Sequence, residues 1–102
     1  MDKDTALKTA FVIAAKDGQT EIMELLCEAG VDIHAWKDVA LRTAADAGQT
    51  EAVWFLLEHG ADLHAKEDEA VRAAESNGHR ETATLLRQWS ARSASGPNTP
   101  KL

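Results

Sequence analysis

One cysteine and two of the four histidines are the side chains of this 102-residue chain with the most chemical potential. Cys27 could serve as a nucleophile or redox sensor, and His34 and His64 could bind a metal. The two histidines are 30 residues apart. If that spacing is one unit of a stacked array, the rings lie on the order of 10 Å apart, too far to share a zinc ion. We therefore expect both histidines to brace loops through hydrogen bonds.

Cys27 lies on the apolar stripe of a predicted helix, beside Met23 and Leu26. A cysteine in that position is typically a small buried hydrophobe, so we expect it to react slowly. As the single cysteine it cannot form an internal disulfide, which is typical of a reducing compartment. We expect no catalytic residue, no bound metal and no cofactor.

Two acid–base pairs four residues apart, Asp38 with Arg42 and Asp68 with Arg72, could act in either of two ways. Such pairs add about 0.2–0.5 kcal/mol each to a helix, which is the default interpretation. Alternatively, the arginines line one edge of a groove and meet acidic groups of a partner.

The formal net charge of −6 argues against charge-driven binding to nucleic acid or to an anionic membrane. Apolar runs are far shorter than the roughly 20 residues of a membrane span. Residues 1–4 lack the basic start and apolar run of a secretory signal. These features predict a cytoplasmic monomer that binds a protein and neither nucleic acid nor membrane.

A 30-residue repeat organises the chain. The tetrapeptide Gly-Gln-Thr-Glu begins at Gly18 and again at Gly48, and Gly-His-Arg-Glu begins at Gly78. Units 18–47 and 48–77 are identical at close to half of their positions. A repeat of this kind buries its apolar face only against its neighbours, so an extended binding surface is expected, and no buried catalytic pocket.

Each unit is predicted to be a pair of helices. In the second unit the first helix spans about residues 38–47 and ends at Gly48, and the second begins near Thr50, whose hydroxyl is expected to cap it. The apolar stripe of the second helix comprises Ala52, Val53, Leu56 and Leu57. In the first unit it comprises Ile22, Met23, Leu25, Leu26 and Cys27. In the last unit, the position equivalent to Leu57 is Arg87. A polar residue there suits a terminal unit, because no further unit covers that face.

Residues 48–65 closely resemble the second half of an ankyrin repeat: a glycine-led start, a helix with valine and paired leucines, then Gly-Ala-Asp and a polar residue before alanine. The resemblance covers about residues 4–90. It implies an all-α, ankyrin-like solenoid of three stacked helix pairs over residues 1–91, with units of about 4–33, 34–63 and 64–91. The last helix is expected to run to about Arg92, and residues 92–102 to form a flexible C-terminal tail.

The chain departs from the family pattern in its period, which is 30 residues where 33 is usual. The usual Thr-Pro-Leu-His opening of the first helix reads Ala40-Leu41-Arg42 and Ala70-Val71-Arg72. The resemblance therefore implies that the projecting β-hairpin of the family is trimmed to a short loop.

The resemblance implies protein binding through the groove of first helices and short loops, at surface positions that vary between units. Those positions are Trp36, Lys37, Arg42, Thr43, Asp46, Lys66, Glu67, Arg72, Ala73 and Ser76. Trp36 is the expected centre because its counterpart is Lys66 and because tryptophan is enriched at interface hot spots. The alternative is that its ring folds over its own loop.

Trp54, whose counterparts are Glu24 and Thr84, is expected to be exposed on the back of the array, and Trp89 to close its end. Two other functions stay open. One is a small stand-alone inhibitor or immunity-type protein that occludes a toxin or enzyme. The other is a metal-binding or enzymatic role.

Overall fold

A computed structural model describes residues 2–95, and within them the chain forms six α-helices and no strand. The helices are α1 (Lys3–Asp17), α2 (Thr20–Glu28), α3 (Ala35–Ala47), α4 (Thr50–Glu58), α5 (Ala65–Ser76) and α6 (Arg80–Ser95). The first helices pack in the order α1, α3, α5, and the second helices in the order α2, α4, α6. The predicted all-α stack of three helix pairs is confirmed.

Glycine ends the first helix of the first two units for two separate reasons. Gly18 and Gly48 have φ angles of 73° and 74°, in the left-handed region that side chains rarely adopt. A Cβ added at Gly18 would lie 2.5 Å from Oε1 of Gln49, and one at Gly48 would lie 2.5 Å from Nδ1 of His79. Both the backbone angle and the approach of the next unit therefore require glycine.

The residues that follow Gly48 and Gly78 join their units to the preceding ones. Nε2 of Gln49 donates to the carbonyl oxygen of Lys16 at 3.0 Å. Nε2 of His79 donates in the same way to the carbonyl oxygen of Asp46 at 3.1 Å, which identifies Nε2 as the protonated ring nitrogen. Each of these bonds satisfies a free carbonyl at the end of a helix in the neighbouring unit.

The core runs through the stack as a column of small and branched side chains. Its largest fully buried members are Phe11, Met23, Leu41, Val53, Leu56 and Leu86. Alanines at the helix contacts, including Ala44 and Ala74, allow the first helices to pack closely. The predicted core position Leu56 of the second unit is confirmed, and Leu86 is buried at the equivalent position of the third unit.

Two predicted core residues of the first unit are exposed, so that part of the prediction is wrong. Ile22 is 42% exposed, whereas its counterparts Ala52 and Thr82 are buried against the preceding helix pair. The helix pair α1–α2 has no pair before it in the structure, so Ile22 is not covered. Leu25 is 64% exposed because it points outward from α2.

Thr50 does not cap α4 as predicted. Gln49 occupies the cap position, and no side chain caps this helix end. The hydroxyl of Thr50 lies 2.8 Å from the hydroxyl of Thr82, so it bonds to α6 in the next unit. The threonine therefore joins two units and leaves the first turn of α4 without a side-chain cap.

The last unit ends the stack with charge. Glu75 and Arg87 form an ion pair at the positions where the second unit has the buried residues Ala45 and Leu57. The helix α6 continues to Ser95, so residues 92–95 of the predicted tail are helical. Residues 96–102 lie outside the described part of the chain.

Candidate functional site

A left-handed turn opens the first helix of the second and third units. Trp36, Lys37 and Asp38 have φ angles of 56°, 59° and 57°, and residues 66–68 repeat the conformation. Left-handed helical backbone costs about 1–2 kcal/mol per L-residue, so other contacts must stabilise it. The connection between helix pairs is therefore short and contains no strand, as predicted, although its left-handed conformation was not predicted.

Arginine side chains hold these turns. In the second unit, Nε of Arg42 donates to the carbonyl of Lys37 at 3.2 Å, and its Nη2 donates to the carbonyl of Trp36 at 3.1 Å. Arg72 makes the same two bonds in the third unit, at 3.0 Å and 3.1 Å. The planar guanidinium fork suits two successive carbonyls that point the same way. The predicted pairing of Arg42 with Asp38 is therefore wrong, because Arg42 bonds to main-chain carbonyls of its own turn.

Asp38 is instead a buried acceptor that joins its turn to the loop between α4 and α5. The residue is 5% exposed, and its Oδ1 lies 2.8 Å from Nδ1 of His34 and 3.2 Å from the backbone nitrogen of Asp62. The pair His64–Asp68 repeats the first contact in the third unit, where Asp68 is exposed. The loop-bracing role predicted for both histidines is confirmed.

Glu69 is a residue of this region that the sequence reasoning missed. Its Oε1 lies 2.6 Å from Nη1 of Arg42, so the second and third units share an ion pair. Glu69 is equivalent to Val39 of the second unit. This change from an apolar to an acidic residue between equivalent positions is the sequence feature that could have identified it. Arg72, in contrast, is exposed, and no acid of a following helix pair meets it within residues 2–95.

The predicted binding residues gather around two clefts between the second and third units. A cleft of about 570 Å³ is lined by Lys37, Lys66, Glu67, Glu69 and Arg72. A smaller cleft of about 250 Å³ is lined by Arg42, Thr43, Asp46, Glu69 and Ala73. Two of the predicted residues, Trp36 beside Lys37 and Ser76 at the end of α5, are exposed and line neither cleft. We call the surface formed by Trp36 and these two clefts the loop–helix face.

Trp36 is 50% exposed on the left-handed turn. The counterpart Lys66 has the same φ and ψ of 56° and 45°, so the turn forms without an aromatic residue. Asp46 also carries structural contacts, since Asn77 donates to its side chain at 2.7 Å and to its carbonyl at 3.0 Å. The loop–helix face therefore combines one exposed aromatic ring with side chains that are partly committed to the fold.

Cys27 is only partly buried, whereas a fully buried hydrophobe was predicted. It packs against the core at the end of α2. Partial burial raises the pKa of the Cys27 thiol above its ordinary value, and the negative charge of Glu24 raises that pKa further. The reactive thiolate is correspondingly scarce at neutral pH.

Iodoacetamide is therefore expected to alkylate Cys27 of the native protein on the order of tenfold more slowly than in denaturant at the same neutral pH. The rate should rise with pH as the thiol ionises. Intact-mass spectrometry over time measures both rates. Equal rates with and without denaturant would show that neither burial nor Glu24 protects the thiol.

The described residues hold no group of three or more histidine, cysteine, aspartate or glutamate side chains that could bind a metal ion. Within the same residues, no helix is both long enough and apolar enough to cross a membrane. His34 braces its loop through the bond to Asp38, and Cys27 packs against the core.

A family model described as ankyrin repeats, in three copies, matches residues 1–67. Comparisons with curated proteins and with solved structures give no match. The matched residues include the first two helix pairs and the left-handed turn of α5 up to Glu67. The repeated helix pairs, the glycine helix ends and this match agree, and the chain belongs to the ankyrin-repeat family.

Proposed function

We propose that this chain binds a partner protein through the loop–helix face, with Trp36 at the centre of the contact. Ankyrin repeats are in general protein-interaction modules. The observation that carries the proposal is the half-exposed indole of Trp36 on a turn that Lys66 forms equally well. Because the fold does not need an aromatic residue there, binding is the better reason for its presence.

The charges of the larger cleft indicate the kind of partner segment that fits. Three basic side chains and two acidic ones line it. Arg72 keeps part of its guanidinium exposed, whereas Arg42 is largely occupied by Glu69 and its own turn. We therefore propose that the partner covers Trp36 with an apolar pocket and places an acidic group near Arg72.

The same proposal includes a monomer that acts in a reducing, cytoplasmic setting without nucleic acid or membrane. The net charge of −6 and the single cysteine support this setting.

Trp36→Ala is expected to weaken binding of the partner by roughly thirtyfold, since burial of a hot-spot tryptophan is commonly worth about 2 kcal/mol or more. The melting temperature should stay nearly unchanged. Affinity purification with mass spectrometry identifies the partner, and calorimetry measures its affinity for each variant.

Lys66→Ala is the matched control, because it removes a side chain from the same position of the next turn. It should change affinity by much less than Trp36→Ala does. An unchanged affinity with a lowered melting temperature for Trp36→Ala would assign that ring to the fold and overturn the proposal.

A further inference from the structure

The second helices form another concave surface, separate from the loop–helix face. A groove of about 1010 Å³ lies over α4 and α6. It is lined by Thr20, Thr50, Glu51, Trp54, Phe55, Glu58, Arg80, Glu81, Thr84, Leu85 and Gln88. We call it the second-helix groove. None of the residues assigned to the loop–helix face lines it.

The floor of the second-helix groove is apolar. Trp54 is 43% exposed there, and Phe55 and Leu85 are half-buried beside it. Phe55 and Leu85 occupy the position that Leu25 holds in the first unit, so this outward position is apolar in all three units. Phe55 and Leu85 both line the groove beside Trp54, and an exposed apolar patch of this kind is a common mark of an interaction surface.

Trp54 has a partial structural explanation. Its ring meets the ring of Trp89 edge to face, with centroids 5.3 Å apart and an interplanar angle of 86°. Arg92 lies over the other ring, 4.8 Å from the centroid of Trp89. Trp89 therefore covers part of the Trp54 ring, yet Trp54 remains 43% exposed. The counterparts Glu24 and Thr84 show that the helix pair forms without an aromatic residue there.

The rim of the groove is acidic. Glu51 and Glu81 lie in the first turns of α4 and α6, where the helix dipole favours an acid. Glu58 is the last residue of α4, at the end where the dipole disfavours an acid. The dipole therefore explains two of the three rim carboxylates and leaves Glu58 without a role in the helix. Arg80 is the single cation among the described residues that line the groove.

We propose that the second-helix groove binds a basic amphipathic helix of a partner protein. The apolar stripe of that helix packs on Trp54, Phe55 and Leu85. Its lysines or arginines meet the carboxylates on the rim. A helix laid in a groove contacts it through residues spaced i, i+3 or i+4, and i+7. The nine residues of α4 span about 13 Å, which matches two to three turns of a bound helix.

The test uses a defined probe, a labelled peptide of about four helical turns made of leucine and lysine, with leucines at the i, i+3, i+4, i+7 positions. Fluorescence anisotropy measures its affinity for the full chain. A second peptide has glutamate in place of every lysine. We expect the lysine peptide to bind and the glutamate peptide not to bind.

Variants then locate the site. Trp54→Ala should weaken binding of the lysine peptide about tenfold, and Glu58→Gln about two- to fivefold. Trp36→Ala is the control for an exposed tryptophan outside the groove and should leave this affinity unchanged. Glu28→Gln removes a glutamate from the same helix-end position of the first unit, outside the groove, and should change the affinity less than Glu58→Gln does.

The proposal fails if the lysine peptide does not bind, if the two peptides bind equally, or if Glu28→Gln and Glu58→Gln weaken binding by the same factor. Glu58 is exposed, so its variant reports on binding even if Trp54→Ala loses its fold. The loop–helix face shares no lining residue with the groove, so either proposal can fail without the other.

Discussion

Leu56→Ala is expected to lower the free energy of unfolding by about 2–5 kcal/mol, the usual cost of a buried cavity of this size. Leu56 is fully buried in the central unit. Its helix α4 packs against helices of all three units, so a cavity there weakens contacts with both neighbouring units. A short array of this kind is only modestly stable, so the whole stack of the variant should unfold at a lower temperature than that of the unsubstituted protein. Circular dichroism at 222 nm measures the melting temperature.

Leu86→Ala is the matched variant in the last unit. Leu86 is as buried as Leu56, but α6 packs mainly against α4 and α5. We expect a smaller loss of stability, because the terminal helix can loosen while the first two units keep their contacts. Two equally harmless substitutions would contradict the stacked-repeat architecture.

Asp38→Ala is expected to lower the free energy of unfolding by about 2–4 kcal/mol, because it removes a buried acceptor that serves two donors. The variant leaves the backbone nitrogen of Asp62 without its partner and frees the ring of His34. The left-handed turn loses its link to the loop between α4 and α5 at the same time. Chemical denaturation measures the change in the free energy of unfolding.

Asp68→Ala is the control for this prediction. Asp68 contacts His64 as Asp38 contacts His34, but it is exposed and bonds no following unit in the described residues. Its loss should cost less than about 1 kcal/mol, the range of exposed ion pairs. Equal effects of the two variants would show that the link from Asp38 to Asp62 adds nothing to stability.

The helix boundaries and most of the core could be predicted from the sequence, because local rules and the repeat agree there. Gly18 and Gly48 end helices in the left-handed conformation that their position after an apolar stripe indicates. Leu56 is buried as its paired-leucine position predicts. Repetition strengthens each such prediction, since a rule satisfied at one unit is tested again 30 residues later.

The left-handed turns could not be predicted, because their local preference points the other way. Trp36, Lys37 and Asp38 are residues that ordinarily avoid positive φ. Their conformation depends on Arg42, which reaches back to two carbonyls, and on Asp38, which reaches forward to Asp62. The Arg42 bonds form within the turn but need an arginine at a position where helix preference alone gives no reason for one, and the bond from Asp62 to Asp38 forms only when the loop after α4 packs against the turn.

The exposure of Ile22 was missed for a related reason. A stripe of apolar residues shows which face of a helix is buried in a complete stack. It does not show whether a neighbouring pair is present to cover that face. Ile22 and Ala52 hold the same repeat position, but only Ala52 has a preceding helix pair in the structure to cover it.

The hydrogen bonds from Gln49 and His79 have a consequence for how an array like this can change in length. Each side chain recognises only a main-chain carbonyl of the unit before it. Every amino acid offers that carbonyl, so these two hydrogen bonds do not depend on a particular side chain of the preceding unit. Duplication, deletion or exchange of a whole unit would therefore keep this contact without a compensating substitution in the preceding unit.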